Sequence, residues 1–356
     1  MAASITPPSS SRQSAETPQR PTDNQNPHNE QPPTTNHQPT TNNELAAHVL
    51  EGLSRQPRAL SSMYFYDAEG SRLFQQIMQL PEYYPTRTEF GLLTRHRRAL
   101  AAALAPADGA PFQLLELGAG DGLKTKILLR ELLTVSPGFA YAPVDISPSA
   151  LQGLAESLRQ ELPALRVEPL VGEYLTALAE LRDQPGRKAV LFLGSNIGNF
   201  GPAERQGFLR ELTRHLGPDD RLLVGFDLRK DPRRIHAAYD DAQGVTAAFN
   251  LNLLTRLNHE LGADFDLGQW QHFAQYNPQD GAMRSYLVSR RAQTVQVAAL
   301  GRAFSFEAWE AIHTESSFKF TLPQIEELAA AVGLRVLEAF TDEQQWFADV
   351  LFSVDS

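Results

Sequence analysis

The stretch "LLELGAGDGLKTKILLREL", from Leu114 to Leu132, joins a short apolar run to three glycines in five positions and then to a helical pattern. Glycines between a strand and a helix let the backbone approach a ligand closely. A P-loop needs G-x-x-x-x-G-K-[ST], and "GAGDGLKT" has a different spacing. A dinucleotide turn needs G-x-G-x-x-G, but Leu123 stands in place of its third glycine. The turn therefore indicates another class of ligand, or a tight connection without one.

The chain around this stretch alternates short apolar runs with helical patterns. Ser147 followed by Pro148 is an N-cap signal that opens one of the helices. The alternation predicts a parallel sheet covered by helices on both faces, a doubly wound α/β fold that binds its ligand at the carboxyl ends of the strands. Strands are predicted at 112–117, 141–146, 165–171, 189–193 and 221–226, and helices at 124–133, 148–158, 174–181 and 203–216.

Polar residues follow the ends of three further predicted strands. Asp145 ends the second strand, where an acidic side chain can accept hydrogen bonds from the two hydroxyls of a ribose. Gly172 and Glu173 follow the third strand. The fourth ends in "LFLGSNIGNF", a polar, glycine-rich rim that includes Asn199. Because the carboxyl ends of parallel strands meet at one edge of a sheet, these residues predict a single site.

The first strand end also carries a wider pattern, E-x-G-x-G-x-G, formed by Glu116, Gly118, Gly120 and Gly122. This pattern is typical of class I methyltransferases, which use S-adenosylmethionine (SAM) as co-substrate. Together with the acidic residue at the second strand end, it predicts a class I (Rossmann-like) SAM methyltransferase sheet over residues 94–228.

Composition excludes several function classes. The 356-residue chain has no cysteine, so disulfides, thiolate metal ligands and cysteine nucleophiles are excluded. A net charge of −10 without a Lys/Arg-rich stripe predicts no nucleic-acid partner. There is no apolar run of about 18 residues and no apolar signal segment, so we expect no membrane partner and a cytoplasmic location. We also expect a monomer.

The segments outside the sheet region have their own signals. Residues 1–43 lack aromatic residues, and this composition predicts that the segment is a disordered tail. Residues 44–93 hold two helical patterns and aromatic-rich turns, and Thr86 with Glu89 suggests a capping box at the start of the next helix. In 229–319 the alternation stops, which predicts an inserted α+β substrate-binding lobe that packs with 44–93. Residues 320–356 return to the sheet domain.

Two details of the inserted lobe complete this division. The pairs Asp240–Asp241 and Asp264–Asp266 lack a surrounding carboxylate cluster, so we interpret them as helix-cap and turn residues and expect no metal site. Trp270, Phe273 and Tyr276 recur at a helix-like spacing and predict packing within the lobe.

Several separated motifs together resemble a known family. They run from about Leu60 to the C-terminus and include "YFYDAEGSRLFQQI", "LPEYYPTR", "LELGAGDGLKTKILL", "LFLGSNIGNF", "FDLRKDP", "AYDDAQGVTAAFNLNLL", "ADFD" and "HTESSFKF". In this order they resemble the SAM-dependent histidine Nα-methyltransferases of ergothioneine biosynthesis. The resemblance implies trimethylation of the α-amine of L-histidine to hercynine, without a metal.

The resemblance also implies roles for individual residues. Tyr66 lies near the substrate amine and, with Asn199, is implied to be catalytic; Asn199 and Tyr239 hold the amine and carboxylate end. Tyr83 contacts the imidazole ring, and Glu315 and Ser317 hydrogen-bond it. For SAM, the implied residues are Gly118 and Lys124 by the methionine part, Asp145 at the ribose, and Gly172 with Glu173 by the adenine, and Gly120 of the turn is a further cofactor-binding residue.

One position departs from the family pattern. Where a methionine commonly packs on the substrate ring, this chain has Ser285 in "AMRSYLVS", a small hydroxyl in place of an apolar wall. Ser285 favours an alternative substrate, such as tryptophan or another small amine, whereas Glu315 opposes it. A non-catalytic SAM-binding regulator is a further alternative, and the retained glycines, Asp145 and Asn199 argue against it.

Overall fold

In the sheet region the helices and strands alternate as predicted, and further helices and strands precede and follow this region. The structure, a computed structural model, describes residues 38–181 and 186–355, so the predicted tail lies outside it up to residue 37. The helices are α1 (Gln38–Ser54), α2 (Ala68–Gln79), α3 (Tyr84–Leu104), α4 (Thr125–Val135), α5 (Pro148–Glu161), α6 (Tyr174–Leu181), α7 (Pro202–Arg214), α8 (Pro232–Ala237), α9 (Val245–Leu261) and α10 (Leu322–Ala331). The strands are β1 (Phe112–Leu117), β2 (Ala140–Asp145), β3 (Arg166–Val167), β4 (Leu170–Val171), β5 (Arg187–Phe192), β6 (Arg221–Asp227), β7 (Trp270–Asn277), β8 (Ala282–Ser289), β9 (Gln293–Val297), β10 (Arg302–Phe306), β11 (Ala311–Phe318), β12 (Leu334–Thr341) and β13 (Phe347–Val354).

The largest sheet has the order β12-β13-β6-β5-β1-β2-β3, with β4 also paired to β2. The pairs from β6 to β4 are parallel, and β13 and β12 are antiparallel. β1 lies at the centre of the parallel part, between β5 and β2, so its carboxyl end is flanked by those of β2 and β5. This arrangement confirms the predicted α/β fold with a mainly parallel sheet.

Both faces of the sheet are buried, which explains why its strands are mostly apolar. On β1, Leu115 and Leu117 belong to a core shared with α6, α7 and α10. Leu114, on the opposite face, belongs to a second core shared with α3, α4 and α5. Successive side chains of a strand point to opposite faces, so a strand covered on both sides has few places for polar residues.

The structure agrees with the predicted N-cap at Ser147 and differs from two other local predictions. Ser147 caps α5, as predicted, because its side chain accepts a hydrogen bond from the Ala150 backbone N–H. The predicted third strand is instead two short strands, β3 and β4. The capping box at Thr86 is wrong: α3 begins at Tyr84, and Pro85 occupies its first turn. Proline fits an early helical position because no N–H is needed there.

The segments before and after the sheet region share a third core. Leu45 and Val49 of α1 and Leu73 of α2 belong to the same cluster as Phe249 and Leu253 of α9. The cluster also includes residues of an antiparallel sheet, β11-β8-β7, and of a two-stranded sheet, β10-β9. Chain segments far apart in sequence thus bury one another.

The helix-like spacing of Trp270, Phe273 and Tyr276 is misleading, because all three lie on β7. Residues three apart on a strand point to opposite faces. Accordingly Trp270 is buried, whereas Phe273 is 51% exposed. Within the described residues, no helix is long and apolar enough to cross a membrane.

Candidate active site

The glycine turn has the backbone conformation that its sequence predicts. Gly118 and Gly120 have φ values of 76° and 54°, in the left-handed region that favours glycine. A Cβ atom on Gly118 would lie 2.8 Å from the Tyr174 hydroxyl oxygen, whereas one on Gly120 would meet no atom within 4 Å. The turn therefore packs closely on one side and leaves open space on the other, as a ligand cradle requires.

Asp145 is held beside this turn. Its carboxylate accepts hydrogen bonds from the backbone N–H of Gly120 at 3.2 Å and of Ser147 at 2.9 Å. The backbone carbonyl of Asp145 also accepts the Gly172 N–H at 3.1 Å, which links the ends of β2 and β4. Gly172 and Glu173 thus lie on the same side of the sheet edge as the turn.

Behind the turn, Glu116 joins three elements. Its carboxylate on β1 accepts hydrogen bonds from the Thr125 hydroxyl on α4 and the Tyr141 hydroxyl on β2. Burial raises the pKa of Glu116 to about 7, although both hydrogen bonds oppose the shift. Glu116 therefore supports the turn from behind, which gives a physical reason for the glutamate of the pattern.

Lys124 is paired with a carboxylate that the sequence did not indicate as part of the site. Glu89 of α3 is fully buried and accepts hydrogen bonds from Lys124 Nζ and, at 2.7 Å, from the Gly194 N–H. Desolvation favours the neutral amine of Lys124, but Glu89 outweighs it and the pKa of Lys124 is raised. Glu89 thereby connects the glycine turn to the end of β5. The sequence pattern indicates only a capping box for Glu89 and does not predict this role.

A cavity opens at the same edge of the sheet. It brings together six of the residues predicted from the sequence. They are Tyr66, Tyr83, Asn199, Tyr239, Glu315 and Ser317, and the remaining lining residues are Phe74, Ile77, Pro85, Gly194, Ser195, Asn196, Asp227, Ala238, Thr246, Phe249 and Lys319.

Aromatic rings form one wall of this cavity. Tyr66 makes edge contacts with Phe74 and Phe249 at centroid distances of 5.6 and 5.7 Å, and Tyr83 contacts Tyr239 at 6.3 Å. Tyr66 is 44% exposed because it faces the open cavity, yet the surrounding protein desolvates its hydroxyl and raises its pKa. The wall offers apolar surface and neutral hydroxyl groups.

Another part of the cavity lining is polar. Glu315 and Ser317 are two residues apart on β11 and both line the cavity. Burial raises the pKa of Glu315 to about 7, and Lys319 opposes this shift. The Tyr239 hydroxyl donates a hydrogen bond to Ser317 Oγ at 2.9 Å.

Ser317 contacts a buried charged network through Lys319, and no motif in the sequence indicates this network. Asp227 accepts hydrogen bonds from the Tyr84 hydroxyl and from Lys230 Nζ, and forms an ion pair with Lys319 at 2.8 Å. Burial would raise the pKa of Asp227, but the two ammonium groups lower it. Asp227 thus stays ionised and holds both lysines.

The glycine turn and the cavity meet at residues 194–196, all of which line the cavity. The Asn196 amide nitrogen lies 3.3 Å from the position of a Cβ on Gly118. Ser195 has a left-handed φ of 58°, and its hydroxyl accepts the Asp227 backbone N–H at 3.0 Å. A ligand on the turn and a ligand in the cavity would therefore be neighbours.

Ser285 neighbours a cavity residue but is not itself part of the described cavity lining. It is 1% exposed, lies on β8 opposite Glu315 of β11, and is not among the described residues that line the cavity. Its backbone carbonyl accepts a hydrogen bond from the Thr314 hydroxyl at 3.0 Å.

The acidic pairs considered for a metal have structural partners. Asp241 accepts the backbone N–H groups of Val245 and Thr246 at the start of α9. Asp264 accepts the Gln296 N–H, and Asp266 accepts the Gly268 N–H. The cap and turn interpretation is confirmed for Asp241 and Asp266, whereas Asp264 binds a strand 32 positions away and Asp240 lies 3.8 Å from His236. No group of three His, Asp or Glu side chains in the described part of the chain is placed to hold a metal ion.

This geometry and the sequence comparisons define the class and then the family. A central glycine turn, a fixed acidic residue on the next strand and an adjoining cavity are the parts of a class I SAM-dependent methyltransferase. The chain belongs to the family of histidine-specific, SAM-dependent methyltransferases, whose profile matches residues 45–354. The family resemblance predicted from the motifs is confirmed, and the protein is an enzyme that uses SAM.

Curated relatives agree with this assignment. The chain is 42% identical over 298 residues to the histidine N-alpha-methyltransferase of Mycolicibacterium smegmatis, covering 84% of this chain and 91% of that protein. It is 40% identical over 299 residues to the histidine N-alpha-methyltransferase of Mycobacterium tuberculosis, with the same coverage. It is also 30% identical over 296 residues to ergothioneine biosynthesis protein 1 of Neurospora crassa, covering 80% of this chain and 32% of that protein.

Proposed function

We propose that this enzyme transfers methyl groups from SAM to the α-amine of L-histidine, three times in succession, to give hercynine in the first step of ergothioneine biosynthesis. The observation that carries the proposal is the meeting of two sites at residues 194–196. One is the glycine turn with Asp145, and the other is a cavity with a carboxylate and a hydroxyl on one wall. The names of the two mycobacterial relatives quoted above support the same substrate.

The residues of the SAM side fit a nucleoside sulfonium. When bound, SAM supplies an electrophilic methyl group on a positively charged sulfur. Asp145 would accept the ribose hydroxyls, and the open space beside Gly120 would admit the ligand. Gly118 and Lys124 would line the methionine part, with Gly172 and Glu173 by the adenine. The Lys124 ammonium is already paired with Glu89, so the fixed carboxylate offsets its charge near the sulfonium.

The residues of the cavity fit an amino acid with an imidazole ring. Glu315 and Ser317 would bind the ring nitrogens, and Tyr83 would pack against the ring. Tyr66 and Asn199 would orient the amine in line with the methyl group, and Tyr239 would hold the amino-acid end. Hydroxyl and amide groups can position a neutral amine without adding a cation next to the sulfonium.

In this proposal the segments 44–93 and 229–319 act as one substrate-binding lobe. Their shared core supports it, because α2 packs with α9 while Tyr66, Tyr83, Tyr239 and Glu315 all reach the cavity. A cytoplasmic monomer without a nucleic-acid partner stays a prediction from the sequence.

The alternative amine substrate has less support. It relied on Ser285 as a wall of the substrate site, but the described cavity lining does not include Ser285. A relative from Psilocybe serbica carries the name L-tryptophan methyltransferase, but at 27% identity.

Mass spectrometry of the purified enzyme with SAM and each of histidine, tryptophan and tyrosine tests the proposal. We expect mono-, di- and trimethylated histidine and no change in the other two amino acids. Methylation of tryptophan or tyrosine instead of histidine would refute the substrate, and binding of SAM without any turnover would favour the regulator.

A further inference from the structure

The ammonium group of Lys319 makes all its hydrogen bonds inside the protein. Lys319 directly follows β11 and is 2% exposed. Its Nζ lies 2.8 Å from each of three oxygens, on Asp227, Tyr239 and Ser317. A lysine ammonium has three donor protons and no acceptor. Although Lys319 lines the cavity, it therefore has no proton left for a substrate.

These bonds determine what the hydroxyl of Ser317 can do. Ser317 Oγ accepts one hydrogen bond from Lys319 and a second from the Tyr239 hydroxyl at 2.9 Å. A serine hydroxyl has two acceptor lone pairs and one proton, so both lone pairs are occupied. Ser317 Oγ donates to no other side chain in the described part of the chain. Its proton is therefore available to a ligand in the cavity.

Glu315 presents the opposite polarity next to this donor. It lies two residues earlier on the same strand, so both side chains face the cavity. The pKa of Glu315 is about 7 without a ligand, and a ring N–H donated to the carboxylate favours its ionised form, which only accepts hydrogen bonds. A donor beside an acceptor matches a ring that has one bare nitrogen and one N–H, which is a neutral imidazole. An imidazolium would direct a second N–H at the Ser317 proton and bring a positive charge close to Lys319.

We propose that Lys319 is a positioning residue, which fixes Ser317 as a hydrogen-bond donor and thereby restricts the cavity to the neutral form of the imidazole ring. Lys319 does so without touching the substrate. This inference rests on the proposed function, because it assumes that histidine occupies the cavity.

The charged and titratable groups around Ser317 are consistent with this role. Asp227 is paired with both lysines, and Glu315 is the remaining carboxylate of the cavity lining, so one carboxylate is left to accept the ring N–H. The charged and titratable groups of the cavity lining are Asp227, Tyr66, Tyr83, Tyr239, Glu315 and Lys319, and Lys230 reaches this set through its ion pair with Asp227.

Nitrogen-15 NMR of ring-labelled histidine, bound to the whole enzyme with S-adenosylhomocysteine, tests the inference. At pH 6, wild-type enzyme should show one protonated and one bare ring nitrogen. Lys319→Met should show two protonated ring nitrogens, because the obligatory donor and the repelling charge are both gone. At pH 8 its KM for histidine should rise roughly tenfold, with the KM for SAM unchanged.

Lys230→Met is the matched control. It removes the other ammonium on Asp227, but Lys230 Nζ hydrogen-bonds Tyr84 and the Leu228 carbonyl rather than Ser317 or Tyr239. It should keep the wild-type nitrogen pattern. A wild-type pattern in Lys319→Met, or the same change in Lys230→Met, would overturn the inference.

A second variant covers the case in which Lys319→Met fails to fold. Ser317→Ala leaves the lysine in place and removes the donor, so the KM for histidine should rise roughly tenfold with the KM for SAM unchanged. An unchanged KM for histidine would overturn the inference. If wild-type enzyme does not methylate histidine at all, the proposed function itself fails, which is a different result from either outcome of the variants.

Discussion

Glu116 and Glu315 have similarly raised pKa values for the same reason, but they differ in their hydrogen-bond partners, and that difference marks their roles. Burial raises the pKa of each to about 7. Glu116 has two protein donors, Thr125 and Tyr141, so its partners are permanent. Glu315 receives no hydrogen bond from another side chain in the described residues and faces the cavity. A carboxylate that the surrounding protein desolvates without supplying partners is costly, so Glu315 is poised to receive them from a ligand.

Glu315→Gln should change how stability depends on pH. The pKa of Glu315 is about 7 in the folded protein and 4.5 in the unfolded reference, so the folded state holds the proton more tightly. Its contribution to stability is present below pH 4.5 and is lost as pH rises through about 7. Glutamine does not ionise, so without ligand the variant should be more stable than wild type at pH 8, by on the order of 2 kcal/mol, and equal at pH 4.5.

Urea unfolding at the two pH values measures this difference. Glu69→Gln is a control of opposite sign, because Arg72 lowers the pKa of the exposed Glu69 carboxyl. Relative to wild type, that variant should lose a little stability as pH rises from 4.5 to 8, because wild type gains the interaction of the ionised Glu69 with Arg72 and the variant does not. A constant difference between Glu315→Gln and wild type across this range would contradict the account of Glu315.

Asn199→Ala tests the positioning of the amine. Asn199 lines the cavity next to the 194–196 junction. If its amide orients the amine, the substitution should lower kcat/KM for histidine by on the order of 10²-fold, while SAM binding measured by calorimetry stays the same. An unchanged kcat/KM would remove Asn199 from the catalytic residues.

At the scale of the element, the glycine turn makes the sharpest prediction. Gly118→Ala places a Cβ 2.8 Å from the Tyr174 hydroxyl at a φ of 76°. It should destabilise the fold by on the order of 1–2 kcal/mol and weaken SAM binding about tenfold or more. Thermal unfolding and calorimetry measure the two effects.

Gly153→Ala on α5 is the control for this turn. Gly153 has no atom within 4 Å of a new Cβ and lies in a helix, so alanine should be neutral or stabilising there. Equal SAM affinities for Gly118→Ala and Gly153→Ala would show that the close approach at Gly118 does not matter.

Secondary-structure elements could be predicted from the sequence where residues close together in the chain determine the local structure. β1, the glycine turn and the N-cap Ser147 follow from residues within a few positions of each other, and all three agree with the structure. Local patterns gave wrong predictions where tertiary contacts determine the role of a residue or the secondary structure of a segment. Glu89 resembles a capping residue, but it instead binds Gly194, 105 positions away. Trp270 and its neighbours have a helical spacing, but pairing with β8 makes their segment a strand.

At the scale of the whole molecule, the site is assembled from distant parts of the chain. Tyr84 of α3 and Lys319 after β11 both bind Asp227 at the end of β6. No spacing in the sequence indicates that these residues meet. The family motifs did identify the cavity residues Tyr66 and Glu315, but the network that orients their neighbours could be read only from the fold.

Removal of residues 1–37 should leave the enzyme active. The family match starts at residue 45, and the predicted tail lacks the apolar residues needed for a core. We expect kcat/KM for histidine to stay within about twofold of the full chain. A larger loss would assign the tail a part in catalysis or folding.

The position of the methyl groups tests the central claim most directly. Tandem mass spectrometry of the product from SAM and histidine distinguishes methylation of the α-nitrogen from methylation of the ring. Because the proposed geometry directs the amine toward residues 194–196 and the ring toward Glu315 and Ser317, three methyl groups should be found on the α-nitrogen and none on the ring. A methyl group on either ring nitrogen would contradict this orientation, and with it the proposed roles of the two walls of the cavity.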